Sequence, residues 1–285
     1  MSGAPLVSVI IPAYQAASTI GRAVRSLLAQ SLADWEAIVV SDDGADYRAL
    51  LAAEGIADPR LVFAATGGIG TGAAAARNLG LRRAEGRLVA PLDADDAYAP
   101  SRLALMAPLA LDAGAAFDNV RVVDDASGAP LFVLFDRRAD FALDAAAFLE
   151  TSVPLMPVAR RELIEGWDPE IEMCDDVALN LRLFARVPAI PVTAEPLHDY
   201  RVRQGSMCHS DRSAERAEHS YNALLRRLAE EDGYGLGDAA LVALATEKIA
   251  AKRAFNRAFA EAREAGLVET FQEFVALNRS ASSGL

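Results

Sequence analysis

Three carboxylates lie within four residues of one another at Asp93-Ala94-Asp95-Asp96. Like charges at this spacing repel each other unless a cation or solvent separates them. Carboxylate oxygens are suitable ligands for Mg²⁺ and Mn²⁺, and either ion can also bind the two phosphates of a nucleotide diphosphate. A solvated acidic loop is the alternative, but this cluster directly follows an apolar run. The sequence therefore predicts a Mg²⁺ or Mn²⁺ site here.

A second acidic pair, Asp175-Asp176, precedes a helical pattern over Val177–Ala185. The dipole of a helix stabilises carboxylates at its N-terminus, so the pair needs no catalytic role. The pair also fits a transfer reaction, in which a base on a separate loop faces the metal site across the substrate. Both interpretations stay open from the residues alone.

The elements that position these residues alternate between apolar runs and helical patterns over the first 100 residues. Apolar runs predict strands at Leu6–Ile11, Trp35–Val40, Leu61–Ala65 and Arg87–Leu92. Continuous apolar runs are typical of strands buried on both faces. Helices between successive strands imply a mostly parallel central sheet with helices on both sides, so the fold class is α/β.

Polar or glycine-rich segments follow all four of these strands. They contain Tyr14, Asp42, Asp43, the loop Gly67–Gly72 and the acidic cluster at Asp93. In open α/β sheets, ligands bind at the carboxyl edge of the strands. The sequence therefore predicts that these segments form one site.

The pattern changes after Pro100, where a helix is predicted near Ser101–Asp112. Strands are then predicted at Ala115–Val123, Leu131–Phe135, Val153–Val158, Ala189–Thr193 and Leu197–Val202. Residues 213–278 are almost entirely helical in pattern, with breaks at 233–237 and 266. We therefore expect a catalytic domain over 1–210, with a nucleotide-binding half at 1–100 and an acceptor half at 101–210. A helical extension at 211–285 follows a junction near Gln204–Asp211.

Composition and charge limit which partners and which cellular location the sequence predicts. The chain has 285 residues and a net charge of −12, which speaks against a nucleic-acid partner. Cys174 and Cys208 form no close pair, as expected of two thiols in a reducing cytosol. The sequence has no apolar run of about twenty residues and no signal-peptide pattern. A cytoplasmic location follows, at the inner face of the membrane if the chain contacts one.

Five ordered motifs resemble the inverting family 2 glycosyltransferases of the GT-A fold, over roughly residues 5–210. They are Val9-Ile10-Ile11-Pro12-Ala13-Tyr14, Val39-Val40-Ser41-Asp42-Asp43-Gly44, Ala76-Arg77-Asn78-Leu79-Gly80, Leu92-Asp93-Ala94-Asp95-Asp96 and Cys174-Asp175-Asp176-Val177-Ala178-Leu179. The resemblance implies a GT-A domain over these residues, and the helical extension predicted from the pattern follows it.

The resemblance also implies roles for residues in these motifs. Asp93 and Asp95 would form the family's DxD motif, with Asp95 the direct metal ligand. Asp176 would be the general base, and Asp175 occupies the neighbouring position, where relatives usually carry Glu. The remaining residues implied to bind the nucleotide sugar are Pro12, Tyr14, Asp42, Asp43, Arg77, Ala94 and Asp96, the last near the donor sugar.

One motif departs from the family pattern. Relatives often carry Tyr-Arg-x-His-x-x-Ser after the last core strand, whereas here residues 200–206 place Arg203 at the position of the histidine. Arginine is a poor metal ligand, so we expect Arg203 to bind the diphosphate leaving group instead. His209 lies nearby in sequence and could take the place of the histidine.

The resemblance implies transfer of a sugar from a nucleotide diphosphate sugar, with UDP favoured, to an acceptor hydroxyl, with inversion. The acceptor would be a saccharide, a lipid-linked sugar or another hydroxyl compound in polysaccharide or glycoconjugate synthesis. A nucleotidyltransferase and a catalytically silent nucleotide-sugar binder are the alternatives. A dinucleotide-binding enzyme is weakly indicated, because the GxGxxA pattern at 70–75 follows the third strand and not the first.

The helical extension carries four basic residues at helical spacing, Lys248, Lys252, Arg253 and Arg257. They could contact a membrane surface or a second copy of the chain. A solvated face on a packed helix is the alternative that we favour.

Overall fold

The structure is a computed structural model that describes residues 3–203, 212–268, 273–274 and 277. Within these ranges the chain is a mixed α/β protein. The strands are β1 (Val7–Ala13), β2 (Trp35–Ser41), β3 (Leu61–Ala65), β4 (Leu88–Pro91), β5 (Ala97–Tyr98), β6 (Ala115–Asp124), β7 (Pro130–Val133), β8 (Phe141–Leu143), β9 (Val158–Arg160) and β10 (Ile190–Val202). The helices are α1 (Ile20–Leu28), α2 (Tyr47–Ala53), α3 (Ala73–Arg83), α4 (Arg102–Ala113), α5 (Ala145–Leu149), α6 (Asp175–Arg186), α7 (Ser213–Leu228) and α8 (Ala239–Glu264), with a 3₁₀ turn at Arg161–Leu163.

The strands form one sheet in the order β3-β2-β1-β4-β9-β6-β10-β5, with β7 on β6 and β8 on β10. Strands β1 to β4 pair with one another in parallel. Strand β1 lies between β2 and β4, so Val7 is opposite both Trp35 and Leu88. Strand β9 runs antiparallel to β4 and β6 and joins this half to the second one. The carboxyl ends of β1, β2 and β4 therefore meet at one edge, as the sequence predicts.

Each face of the sheet is covered by helices, because successive residues of β1 point to opposite sides. Ile10 packs with α3, α5 and α6 on one face. Val9 and Ile11 pack with α1, α2 and α4 on the other. All three side chains are fully buried, which explains why the run has no polar alternation.

The C-terminal helices share an apolar core with the part of the chain that contains the sheet. Leu224 of α7 and Ile249 of α8 are fully buried in the same apolar cluster as Phe117 of β6 and Leu179 of α6. Burial of such side chains contributes about 1.5–3 kcal/mol each relative to exposure. No described helix is both long and apolar enough to span a bilayer.

The four basic residues of α8 are not a purely solvated face. Lys248 pairs with Glu150 at 2.7 Å, and Lys252 donates to the Thr151 carbonyl at 2.8 Å. Arg253 donates to Asn222, and Arg257 pairs with Glu218. Helix α8 is packed, as expected, but its four basic side chains bind residues of other elements.

Most elements of the first half lie where the sequence predicts them. Strand β1 continues through Pro12, whose missing N–H costs little near a strand end. The strand predicted at Val153–Val158 is wrong, because β9 begins only at Val158. The two strands predicted at 189–202 are one, β10, with irregular register around Pro196. The junction Gln204–Asp211 lies outside the described residues.

Candidate active site

The acidic cluster lies in the loop between β4 and β5, at the carboxyl edge of the sheet. Two of its side chains are partly open to solvent, at 28% for Asp93 and 30% for Asp95, whereas Asp96 is buried. Burial raises the pKa of Asp95 to about 7, and the charges of Asp96 and Asp93 add to this effect. Like charges held this close favour a bound cation.

Asp96 is held by the neighbouring strand β10. One of its oxygens lies 2.9 Å from His198 Nε2, and the other accepts the Arg201 backbone N–H at 2.8 Å. His198 is itself buried and meets the ring of Tyr98 edge-on, with the centroids 5.4 Å apart. Both oxygens of Asp96 thus have hydrogen-bond partners within the protein. The expected contact of Asp96 with a donor sugar stays a prediction.

Two arginines border the cluster from other elements. Arg22 of α1 donates to the Asp95 carbonyl at 2.7 Å and pairs with Asp125 at 2.8 Å. Arg203, just after β10, lies with a guanidinium nitrogen 4.0 Å from an Asp95 oxygen. Both arginines border Asp95, so they could contact a diphosphate that binds to the cluster. His209 lies outside the described residues.

The residues of the cluster fit a divalent cation that a ligand completes. Among the described residues, no group of three or more His, Cys, Asp or Glu side chains is arranged to hold a metal. Mg²⁺ sites commonly use one or two carboxylates, with substrate phosphates and water supplying the other oxygens. Asp93 and Asp95 are the two partly open carboxylates of the cluster and match this pattern.

The acidic pair begins α6, as the sequence predicts. Cys174, directly before it, has a left-handed backbone with φ of 63°, which is uncommon for a residue with a Cβ. Burial raises the pKa of Asp176 to about 6, Asp175 adds to the shift, and the N–H groups of Val177 and Leu155 oppose it. A carboxylate with a pKa close to neutral is suited to accept a proton.

Arg77 of α3 joins the acidic cluster to the acidic pair. The residue is 4% exposed, and its guanidinium donates to Asp93 at 2.5 Å and to Asp175 through its other terminal nitrogen. Asp93 is 16 positions and Asp175 is 98 positions from Arg77 in the sequence, yet both bind its side chain. In this structure the guanidinium of Arg77 lies between these two carboxylates, and its expected contact with the nucleotide stays a prediction.

The loop after β2 organises the glycine-rich segment. Asp42 accepts hydrogen bonds from Thr66 at 2.7 Å, from Gly72 N–H at 2.9 Å, and from the backbone and hydroxyl of Thr71. Burial alone would raise the pKa of Asp42, but the bonds from Thr71, Thr66 and Gly72 outweigh it and lower the pKa. The segment 67–72 is thereby folded onto Asp42.

Asp43 organises the loop after β1. It accepts the Gln15 N–H at 2.6 Å and the Tyr47 hydroxyl at 2.9 Å. Gln15 has a φ of 50°, so this bond holds a strained backbone. Tyr14, next to it, is half exposed and lies beside Gly70, where a nucleobase could contact the ring.

The structure therefore brings together Asp93, Asp95, Arg203, Arg77, Asp175 and Asp176, and it places Pro12, Tyr14, Asp42 and Asp43 at the same edge of the sheet. Ala94 is buried within the cluster. Sequence reasoning missed His198 and Arg22. The position of His198, two residues before the Tyr200-Arg201 motif, was the one available signal, because alternate residues of a strand share a face. Arg22 carries no such signal.

Comparison with known proteins identifies similar sequences and folds. Residues 8–139 match the family model described as Glycosyl transferase family 2. The expected resemblance to this family is confirmed. The matched segment includes Tyr14, Asp42, Arg77 and the acidic cluster, and it ends before the acidic pair of α6.

Two curated relatives are informative. The UDP-Glc:alpha-D-GlcNAc-diphosphoundecaprenol beta-1,3-glucosyltransferase WfgD of Escherichia coli is 35% identical over 130 residues, covering 45% of this chain and 51% of that protein. The succinoglycan biosynthesis protein ExoO of Rhizobium meliloti is 32% identical over 219 residues, covering 71% of this chain and 62% of that protein. The chain thus spans between half and two thirds of the length of these relatives.

A solved structure extends the likeness to the whole fold. The mannosyltransferase PcManGT from Pyrobaculum calidifontis, in complex with GDP-Man and Mn²⁺, superposes with a TM-score of 0.56 at 19% identity. The superposition covers 99% of this chain and 81% of that one. The GT-A fold is therefore confirmed, with a helical C-terminal part included.

Proposed function

We propose that the chain transfers a sugar from a UDP-sugar to an acceptor hydroxyl, with inversion at the anomeric carbon. The observation that carries this proposal is the placement of Arg77, which holds Asp93 of the acidic cluster and Asp175 of the acidic pair on one guanidinium. Asp93, which would bind the metal, is thereby linked to the pair that contains Asp176, which would accept the proton. The named activities of WfgD and PcManGT support the reaction class.

The donor side consists of the cluster and its bordering cations. Asp93 and Asp95 would hold Mg²⁺ or Mn²⁺, which when bound neutralises charge on the departing nucleoside diphosphate. Arg203 and Arg22 lie beside Asp95 and would contact the same diphosphate. The UDP-Glc in the name of WfgD supports a UDP-sugar, and the GDP-Man bound by PcManGT is the main alternative.

The acceptor side is built around Asp176. Its carboxylate would take the proton of the acceptor hydroxyl while the hydroxyl oxygen forms a bond to the anomeric carbon. The bond from that carbon to the diphosphate oxygen breaks on the opposite face, and the nucleoside diphosphate leaves with the electron pair. A single displacement of this kind inverts the anomeric centre and needs no covalent sugar–enzyme intermediate.

The acceptor and the location are part of this proposal. The lipid-linked acceptor in the name of WfgD and the biosynthetic role in the name of ExoO support a role in polysaccharide synthesis. A sugar on a lipid carrier would place the reaction at the inner face of the membrane. A saccharide in solution is the alternative acceptor.

The test is a screen of nucleotide sugars for thermal stabilisation of the protein with Mn²⁺ present. UDP-glucose, UDP-GlcNAc and UDP-galactose are compared with GDP-mannose, and stabilising donors are then incubated with saccharide and lipid-diphosphate sugar acceptors. We expect a UDP-sugar to bind and to release UDP, with the opposite anomeric configuration in the product by NMR.

Each alternative has its own signature, in this screen or in a parallel assay with a nucleoside triphosphate and a sugar phosphate. Release of pyrophosphate from a nucleoside triphosphate and a sugar phosphate would indicate a nucleotidyltransferase. Donor binding without turnover over the full acceptor set would indicate a silent binder. A retained anomeric configuration would refute the single displacement.

A further inference from the structure

Helix α7 contacts the segment 168–173, which leads to the acidic pair. Three acidic residues alternate along this segment, and each faces an arginine of α7. The pairs are Asp168 with Arg227 at 3.0 Å, Glu170 with Arg226 at 3.0 Å and Arg227 at 3.1 Å, and Glu172 with Arg216 at 3.9 Å. The Asp168 side chain is nearly buried, whereas Glu170 and Glu172 are exposed. Exposed pairs contribute at most about 1 kcal/mol each, so we take their effect to be the register of the segment on the helix.

A partly buried hydrogen bond continues this contact to the start of α6. The hydroxyl of Ser220, which is fully buried on α7, accepts the Met173 N–H at 2.9 Å. The next residue is Cys174 with its left-handed backbone, and the acidic pair follows at once. Strained conformations persist only where the surroundings hold them, and here α7 provides that support.

Helix α8 contacts a second segment next to Asp176. The half-buried ammonium of Lys252 donates to the Thr151 carbonyl at 2.8 Å, at the beginning of the segment 151–155. At the end of that segment, Leu155 presents its N–H to Asp176 and accepts from Asn180 at 2.8 Å through its carbonyl. The segment is thus held by α8 at one end and by α6 at the other.

We propose that Lys252 is a positioning residue for the acceptor side: it holds the segment 151–155 so that the Leu155 N–H stays directed at the Asp176 carboxylate. The C-terminal extension is then part of the acceptor side of the active site, which goes beyond a packing role. This inference rests on the proposed role of Asp176 as the base.

The charge of Lys252 agrees with this placement. Burial lowers the pKa of the Lys252 ammonium, and the charges of Cys174, Asp176 and Glu150 oppose that shift. The ammonium is therefore near enough to Asp176 for the two charges to act on each other. Lys248, one turn earlier on α8, pairs with the exposed Glu150 instead and is a matched control.

The first experiment measures amide hydrogen exchange in the full chain without ligand. We expect Lys252→Met to raise the exchange of residues 152–156 by about tenfold or more and to leave the peptide around Asp93 unchanged. Lys252→Arg should restore protection, since its guanidinium can still donate to a carbonyl. Lys248→Met should match the wild type. Unchanged exchange in Lys252→Met would overturn the proposal.

The second experiment separates positioning from general stability. With the donor and acceptor selected by the screen, Lys252→Met should lower kcat about tenfold while the Kd for UDP with Mn²⁺ stays within about twofold. Equal losses in kcat and UDP affinity, or unchanged kcat, would contradict the role of Lys252. If Asp176→Asn were fully active, the proposed base would fail instead, and the exchange result would still report on the segment 151–155.

Discussion

The guanidinium of Arg77 is ion-paired with Asp175, although α3 and α6 lie on opposite sides of residue 100 in the sequence. The same side chain holds Asp93, so the two halves of the site are aligned by one buried cation. Burial would lower the pKa of Arg77, but Asp175 and Asp93 outweigh it and raise the pKa. Arg77 therefore stays charged throughout the working pH range.

Replacement of Arg77 by lysine tests this alignment. A lysine keeps the charge, but its single ammonium cannot reproduce the fork that bonds two carboxylates at once. We expect Arg77→Lys to lower both UDP affinity in Mn²⁺ and turnover by about ten- to a hundredfold, as for other groups that orient metal ligands. Calorimetry and kinetics would measure the two effects. Arg82→Lys, on the exposed end of α3, is the control, and wild-type values for Arg77→Lys would contradict the alignment.

Replacement of Asp176 by asparagine tests the proposed base. Asparagine keeps the size of the side chain but cannot accept the proton, so kcat should fall about a hundred- to ten-thousandfold. Donor affinity should change little, because Asp176 would face the acceptor. Asp175→Asn should have the milder effect on kcat. Turnover and donor affinity are measured on both variants, and a parallel collapse of donor affinity in Asp176→Asn would indicate a structural role.

The pH dependence of turnover follows from the raised pKa of Asp176. A base must be ionised, so kcat/KM should decline as the pH falls through about 6, with saturating Mn²⁺ present. The decline would not come from unfolding driven by this group. Its pKa is higher in the folded state than in the unfolded one, so protonation between about pH 6 and 4 favours the fold. Stopped assays from pH 5 to 8, with thermal melts at each pH, would check both statements. A flat profile would contradict the assignment.

The strands of the first half could be predicted because they are buried on both faces, and unbroken runs such as Val39-Val40 leave little ambiguity. Strand β5 at Ala97–Tyr98 has two residues and no periodicity to detect. Around Pro196 the sequence shows a break, whereas pairing with β6 carries the strand through it with irregular register. Local patterns do not contain such tertiary effects.

The acidic groups of the site could be predicted because their residue types and spacing carry the chemistry. Their alignment could not, since the bond between Arg77 and Asp175 joins residues 98 positions apart. The same limit applies to Lys252, which sequence periodicity placed on a solvated face. Its contact with Thr151 depends on how α8 packs against the catalytic part.

Removal of the divalent cation tests the role of Asp93 and Asp95. Both side chains are partly open, and their charges repel until a cation is bound. We expect UDP to bind about a hundredfold more weakly after EDTA treatment, because the phosphates then face Asp93 and Asp95 without the charge of the cation between them. Calorimetric titration with UDP measures this, and uridine, which has no phosphates, should bind equally in both conditions. Equal UDP affinity with and without EDTA would remove the metal from the mechanism.

The last prediction concerns His198, which positions Asp96, the buried carboxylate of the acidic cluster. Its Nε2 lies 2.9 Å from the carboxylate, and both groups are buried. His198→Leu would leave one oxygen of Asp96 without this partner, at a cost of about 1–3 kcal/mol in the free energy of unfolding. Mn²⁺ affinity should also fall by about ten- to a hundredfold, because Asp93 and Asp95 share a short loop with Asp96.

His198→Gln provides the sharper comparison, since its amide nitrogen can donate to Asp96 from nearly the same position. We expect this variant to recover most of the Mn²⁺ affinity, while His219→Leu on the exposed face of α7 should resemble the wild type. Thermal melts and Mn²⁺ titrations of the three variants distinguish the effects. Normal Mn²⁺ affinity in His198→Leu, with only the melting temperature lowered, would limit His198 to a structural role and separate Asp96 from the metal site.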